Sequence, residues 1–486
     1  MFPAVQRALG ALKKSLLRED TGERYGYHDE HGHGNPEQTA EWNGVALETV
    51  AWKEPPRWLP TTFQSLVYRN YLFLVVGQVC HSLSLWMDMV ARPVLVIALT
   101  GSAVQLGLVS MVRGVPMMLL APVAGVIADR FDRRLVVLLA KGTNMVVHIV
   151  FAFIVISGNL DLWLIYVTAI IKSIVNAFEQ PARQALLPST VPLPLLTNAV
   201  ALHQGSMQLT RIISATVAGF LIAGWALVFG FGENDTRAFG GVYLAMALTL
   251  VVGLVATYML RFPAGARMEG HHHGSFFTSF MTALRFAWHH AIILGVLILL
   301  VVNFLFGQSY RMIFLPWLAI QDMQLGPQGV GLLLAINGAG ALVGSVAIAA
   351  WGHRLRHRGW LIISGLVFKG LLLVGLGFTS LLPMVTIFGL TMPLLPILII
   401  VVAGTVDMAT MAMKNILLFE SIPDEFRGRI MSLQSLDRGF STIGNGVAGF
   451  AIALLGGPYS LALFGGLLTL GSLVVGSSLP NFRKVD

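Results

Sequence analysis

The chain is predicted to be an all-α membrane protein, with twelve transmembrane helices arranged as two pseudo-symmetric six-helix bundles. Composition, the length of the apolar runs and an internal repeat predict it. Of 486 residues, 55% are apolar and only 12% charged, and the mean hydropathy is +0.74. A soluble domain carries roughly 25% charged residues, so a soluble enzyme, a disordered chain and a coiled coil are all excluded. The single cysteine, Cys80, excludes disulfides within the chain and multi-cysteine metal clusters.

A helix needs about 20 apolar residues to cross the hydrocarbon core. Such stretches fall at 71–97, 104–127, 135–156, 160–178, 198–226, 239–260, 292–318, 328–350, 360–381, 388–413, 431–455 and 458–479. The runs are continuous rather than alternating, which favours helices over barrel strands. Met384 to Met413 is one long run interrupted by Pro393 and Pro396, so the start of the tenth span is the least clearly marked.

Every second loop is basic. D-R-F-D-R-R at 129–134, Arg183, then Arg261, Arg267 and Arg285, H-R-L-R-H-R at 353–358, Arg427 with Arg429, and the tail residues Arg483 and Lys484 form one set. The alternate loops hold only Arg237. The positive-inside rule therefore predicts a multi-pass protein of the plasma (inner) membrane with both termini cytosolic. The net charge of +8 then faces anionic membrane lipids, and no nucleic-acid partner is expected.

The organisation reads as a cytosolic extension (1–65), a first bundle (66–260), a cytosolic linker (261–290), a second bundle (291–480) and a cytosolic tail (481–486). In the extension, Phe2, Val5, Leu9, Leu12 and Leu16 recur at helical spacing, with Arg7, Lys13, Lys14 and Arg18 on other faces. This is the pattern of an amphipathic helix on the inner leaflet, a soluble amphipathic helix being the alternative. Phe276, Phe277, Phe280, Met281, Leu284 and Trp288 suggest an interfacial helix leading into the seventh span.

The halves share short strings in the same order. L-L-P-S-T-V-P at 186–192 matches L-L-F-E-S-I-P at 417–423, and V-A-G-F occurs at 217–220 and 447–450. L-G-L at 106–108 matches V-G-L at 330–332, and Arg113-Gly114 faces Asn337-Gly338. Parallel six-span repeats belong to secondary transporters, with the substrate site between the halves.

The string G-V-I-A-D-R-F-D-R-R at 125–134 resembles the loop signature G-x-x-x-D-R-x-G-R-R of the major facilitator superfamily, with Asp132 where the pattern has Gly. P-A-R-Q-A-L-L-P at 181–188, R-I-I-S-A-T-V-A-G at 211–219 and I-P-D-E-F-R-G-R-I-M-S at 422–432 resemble its enterobactin-exporter-like and macrolide-efflux branch. The resemblance covers about residues 62–480. It implies a cytosolic gating loop made by Gly125, Asp129, Arg130, Arg133 and Arg134, with Asp129 latching the two halves. It also implies a substrate cavity lined by the first span, and export of small amphipathic compounds of drug or siderophore type.

An ionisable side chain within a span costs roughly 2.5–3.5 kcal/mol on insertion scales and is a functional hypothesis by default. The spans contain Asp88, Asp407 and Asp437, the bases Arg92, Arg113, Lys172, Arg211, Arg311, Lys369 and Lys414, and His81, His148 and His203. Asp88, in the middle of the first span, is the foremost proton-coupling candidate. Arg92 follows four residues later on the same face, so a static ion pair is the alternative. Asp407, in the last third of the tenth span towards the cytosol, is the second candidate. Arg92, Arg113, Arg211 and Arg311 with Trp86 are the substrate-cavity candidates. Arginine suits carboxylate or phosphate oxygens, so an anionic or polyphenolic substrate competes with plain backbone pairing. Met87, Met89, Met117 and Met118 suit an adaptable lining.

His28, His31 and His33, and His271, His272 and His273, allow a divalent-metal exporter as the runner-up. Within the spans no resident metal and no cofactor is expected, since adjacent Cys80 and His81 point about 100° apart on a helix. No phosphate-binding G-x-x-x-x-G-K-[ST] string occurs, and no catalytic constellation is recognisable. The expectation is therefore not an enzyme but a monomeric, proton-coupled secondary exporter, a lipid flippase or assembly factor on the same scaffold remaining open.

Overall fold

Apolar segments of this length leave their backbone N–H and C=O groups no partners but one another, so they form helices. In the computed structural model of the chain, the described residues are 56, 60–232, 235–261, 281–282, 285–286, 288–352, 357–379, 384–387, 390–422, 437–479 and 482. The expected N-terminal amphipathic helix, the histidine clusters and most of the central linker lie outside them.

Among the described residues, twelve long helices follow in order. The first half holds α1 (Arg69–Thr100), α2 (Ala103–Arg130), α3 (Arg133–Ile156), α4 (Leu162–Leu186), α5 (Leu196–Phe229) and α6 (Gly240–Tyr258). The second holds α7 (Ile292–Asp322), then α8 (Gly326–Trp351), α9 (Arg358–Gly377), α10 (Leu394–Ser421), α11 (Asp437–Leu455) and α12 (Gly457–Ser478). Eleven are long and apolar enough to cross a membrane, while the apolar part of α11, Gly439–Leu455, is shorter among the described residues. Gly101 (φ 59°) and Gly230 (φ 68°) end α1 and α5 in the left-handed conformation, which strains any residue with a Cβ.

Three elements depart from expectation. Helix α4 runs on through Pro181 to Leu186, eight residues past the apolar run. A short antiparallel hairpin, β1 (Met384–Ile387) with β2 (Leu390–Pro393), pairs Met384 with Pro393 and Ile387 with Leu390. Helix α10 therefore starts at Leu394 rather than 388, because Pro396 fits only a first helical turn. The shift leaves Asp407 near the middle of α10 rather than towards one end. Finally, α7 is interrupted by π-helical turns at Asn303–Gly307, Tyr310–Phe314 and Leu318–Asp322, a widening that often marks functional positions.

Packing repeats with a six-helix offset. Contacts of α2 with α4, α3 with α6, α3 with α4 and α1 with α5 are matched by α8 with α10, α9 with α12, α9 with α10 and α7 with α11. The two halves meet along α2 with α11 and along α5 with α8, which the same pseudo-twofold interchanges. Large apolar residues such as Phe153, Leu227 and Leu454 stay exposed on the outer faces.

Candidate transport site

The short α2–α3 link and the C-terminal ends of α4 and α6 share one end of the bundle, called here the basic end. Asp132 caps α3 there, its carboxylate accepting from the backbone N–H of Arg134 (2.8 Å) and Leu135 (3.4 Å). The residue that departs from the family signature thus starts the third helix. Arg133 Nη1 donates to the Ala185 carbonyl on α4 at 3.4 Å, and Arg134 Nη2 to the Tyr258 carbonyl on α6. Both arginines tie helices within the first half. Gly125, Asp129 and Arg130 lie in the last turns of α2, with the Asp129 and Arg130 side chains outside the described set. At the far end, Arg237 pairs with Asp235 at 2.6 Å.

Asp88 is fully buried on α1 and gathers three cations. Arg92 Nη2 lies 3.1 Å from Oδ1, Lys172 Nζ of α4 2.9 Å from Oδ2, and Arg113 Nη1 of α2 3.7 Å from Oδ2. Arg92 spends its remaining donors on the Ile165 carbonyl (3.2 Å) and Thr168 Oγ1 (3.1 Å). His148 Nδ1 donates to the Asn144 carbonyl at 2.6 Å, so its Nε2 accepts from Lys172 at 3.0 Å. Spacing alone announced the Asp88–Arg92 contact; only packing brings in Lys172 and His148.

A second acid network lies nearer the basic end. Glu179 of α4 accepts from His81 Nδ1 of α1 at 3.1 Å and from Arg183 Nη1 at 3.4 Å. Lys141 of α3 caps the Gly77 carbonyl (3.1 Å) and Thr257 Oγ1 (2.7 Å). A pocket of about 230 Å³, its open mouth included, is bordered by His81, Asn144, His148, Lys172 and Asn176 and lies between this network and Asp88. Sequence reasoning missed Glu179, one residue beyond the drawn fourth span, and Lys141, inside the third. Continuing the α4 pattern to Pro181 would have found the first.

In the second half, Asp407 accepts from Lys369 Nζ of α9 at 2.6 Å, and the same amine reaches Asn303 Oδ1 of α7 at 3.0 Å. Gly307 makes room for it, since a Cβ there would overlap Asn303 Oδ1 and stand 3.1 Å from Lys369 Nζ. Across the halves, Arg211 Nη2 of α5 donates to Asn337 Oδ1 of α8 at 2.7 Å, and Asn337 Nδ2 donates to the Tyr310 hydroxyl.

A cavity of about 330 Å³, its open mouth included, lies between the halves and is bordered by Trp86, Arg211 and Arg311. The sequence candidates therefore divide into three places. Asp88, Arg92 and Arg113 share one cluster, Trp86, Arg211 and Arg311 share the cavity, and Asp407 stands with Lys369. Among the described residues, no group of three His, Cys, Asp or Glu could hold a metal ion.

Two repeated six-helix bundles around a cavity lined from both sides define a membrane transporter of the major facilitator type. The chain belongs to the transmembrane secretion effector family, whose model matches residues 61–485. It is similar to macrolide efflux protein A of Streptococcus pyogenes, 30% identical over 128 residues, 26% of this chain and 32% of that one. The chain thus spans about a third of that relative's length. It is also similar to the enterobactin exporter EntS of Citrobacter koseri, 26% identical over 82% of this chain and 84% of that one. In fold it resembles the nucleoside transporter NupG, with a TM-score of 0.62 at 13% identity over 86% of this chain and 100% of that one.

Proposed function

We propose that the protein is a proton-coupled exporter of small amphipathic compounds, acting by alternating access as a monomer in the inner membrane. The observation that carries this reading is that each half buries one acid–amine contact, Asp88–Lys172 and Asp407–Lys369. Asp88 stands on α1, which borders the cavity shared by the halves, and Asp407 on α10, away from its lining. Ionisable groups within a span are costly to insert and mark ion or substrate pathways by default. Protonating either carboxylate removes its charge and its hold on the lysine, which loosens one helix against another. Proton release restores the contact and the original packing. The relatives named for efflux and export support the direction.

With the basic end cytosolic, the α2–α11 and α5–α8 seams close the cavity on the opposite side. Residues 66–260 and 291–480 are then the two rocking bodies, and Gly125, Asp129, Arg130, Arg133 and Arg134 stand at the cytosolic mouth. The exposed apolar faces meet lipid.

The test is transport by the full chain in inverted vesicles. A fluorescent amphiphile should accumulate with an imposed inward-acid pH gradient and leak back when a protonophore is added. Accumulation indifferent to the gradient overturns the coupling.

A further inference from the structure

The cavity between the halves is bordered by hydrogen-bond donors of one kind. Arg211 from the first half and Arg311 from the second contribute guanidinium groups, and Trp86 contributes its indole. The Arg211 guanidinium lies 5.1 Å over the Trp86 ring, and Arg311 Nη2 donates to Gln308 Oε1. Arg311 Nε and Trp86 Nε1 are both buried with no hydrogen-bond partner among the described residues. Among the described residues no carboxylate reaches either guanidinium within ion-pair distance. Asp407, which acts electrostatically on both, is engaged by Lys369 at 2.6 Å. The remaining wall is apolar: Met89, Val90, Ala215, Met312 and Leu334.

A buried donor without an acceptor is destabilising, and with Asp407 neutralised by Lys369 the two guanidinium groups leave net positive charge in a poorly hydrated space. Both deficits are met by one kind of ligand. We propose that this cavity binds anionic amphiphiles, compounds with a carboxylate or similarly acidic oxygen beside an aromatic or aliphatic body. The enclosed part of the cavity has room for about one water in this conformation; when the halves part, the anion bridges Arg211 and Arg311 and accepts from Trp86 Nε1, while the body lies on the apolar wall. A protonated amine of the same shape meets two like charges. The inference rests on the transporter reading above and narrows its cargo.

The experiment is equilibrium dialysis of the purified full chain in detergent with 2-naphthoate, methyl 2-naphthoate and 2-naphthylmethylammonium, one body in three charge states. Naphthoate should bind at least tenfold more tightly than the ester, and the ammonium most weakly. Arg311→Gln should lose about tenfold for naphthoate and less than twofold for the ester, with Arg311→Lys recovering part of the loss. Equal affinity for naphthoate and the ammonium, or unchanged naphthoate binding by Arg311→Gln, overturns the proposal. Should that variant fail to fold, Trp86→Phe decides: a severalfold loss for naphthoate alone supports the anion site, and no loss overturns it. No pH gradient is present, so a failure here leaves gradient-driven export standing, and a failure of coupling leaves this preference intact.

Discussion

Gly107 on α2 and Gly449 on α11 touch backbone to backbone. A Cβ on Gly107 would stand 3.0 Å from the Gly449 Cα, and one on Gly449 only 2.8 Å from the Gly107 Cα. The second seam repeats the device: a Cβ on Gly331 would stand 3.3 Å from the Gly219 Cα and overlap the Ala215 carbonyl oxygen. Both pairs come from the repeated strings, L-G-L with V-G-L and V-A-G-F with V-A-G-F. Small residues let membrane helices approach where no hydrophobic force drives them together.

Gly449→Leu should therefore force the halves apart at the end opposite the basic loops. Transport should fall at least tenfold, and spin labels at Gln105 and Leu454 should move several ångströms apart. Gly224→Leu, with nothing within 4 Å of its Cβ position, is the control and should transport normally. Full activity of the Gly449 variant would contradict the seam.

Glu179→Gln should destabilise the first half, because Arg183 and His81 lose a carboxylate at a site where Glu179 is 1% exposed. Breaking one partner of a buried pair costs about 3–5 kcal/mol. The melting temperature in detergent should fall by several degrees, and Glu179→Gln with Arg183→Gln together should recover part of it. Additive losses would show that the two side chains act separately.

Asp88→Asn leaves Arg92, Lys172 and Arg113 facing a neutral amide. Substrate accumulation should lose its dependence on the pH gradient, and thermal stability should drop by about 3–5 kcal/mol. Adding Lys172→Gln should cost less than the two changes summed. A gradient response identical to that of the original chain would clear Asp88 of proton carriage and leave it a structural anchor.

Gly307→Ala tests the second half with a single methyl group. The new carbon cannot share space with Asn303 Oδ1, so Asn303 must move away from Lys369. We expect a severalfold lower initial transport rate with a melting temperature within a few degrees of the original. An unchanged rate would show that the Lys369 bridge is not needed for turnover.

The number of helices, their order and the kinship of the halves were legible in the sequence, because hydrocarbon accepts only backbone that bonds to itself. Local chemistry was legible too: Asp88 and Arg92, four residues apart, could meet nowhere but on one helix face. Boundaries were less so where polar residues continue a helix, as from Glu179 to Leu186, or where proline delays one, as before Leu394. Only tertiary structure decided which charges meet. Lys172 reaches Asp88, Glu179 reaches His81, and Arg211 and Arg311 border one cavity because distant helices pack at particular rotations and heights. Those rotations follow from the glycine seams and the summed fit of many side chains, which no local stretch of sequence contains.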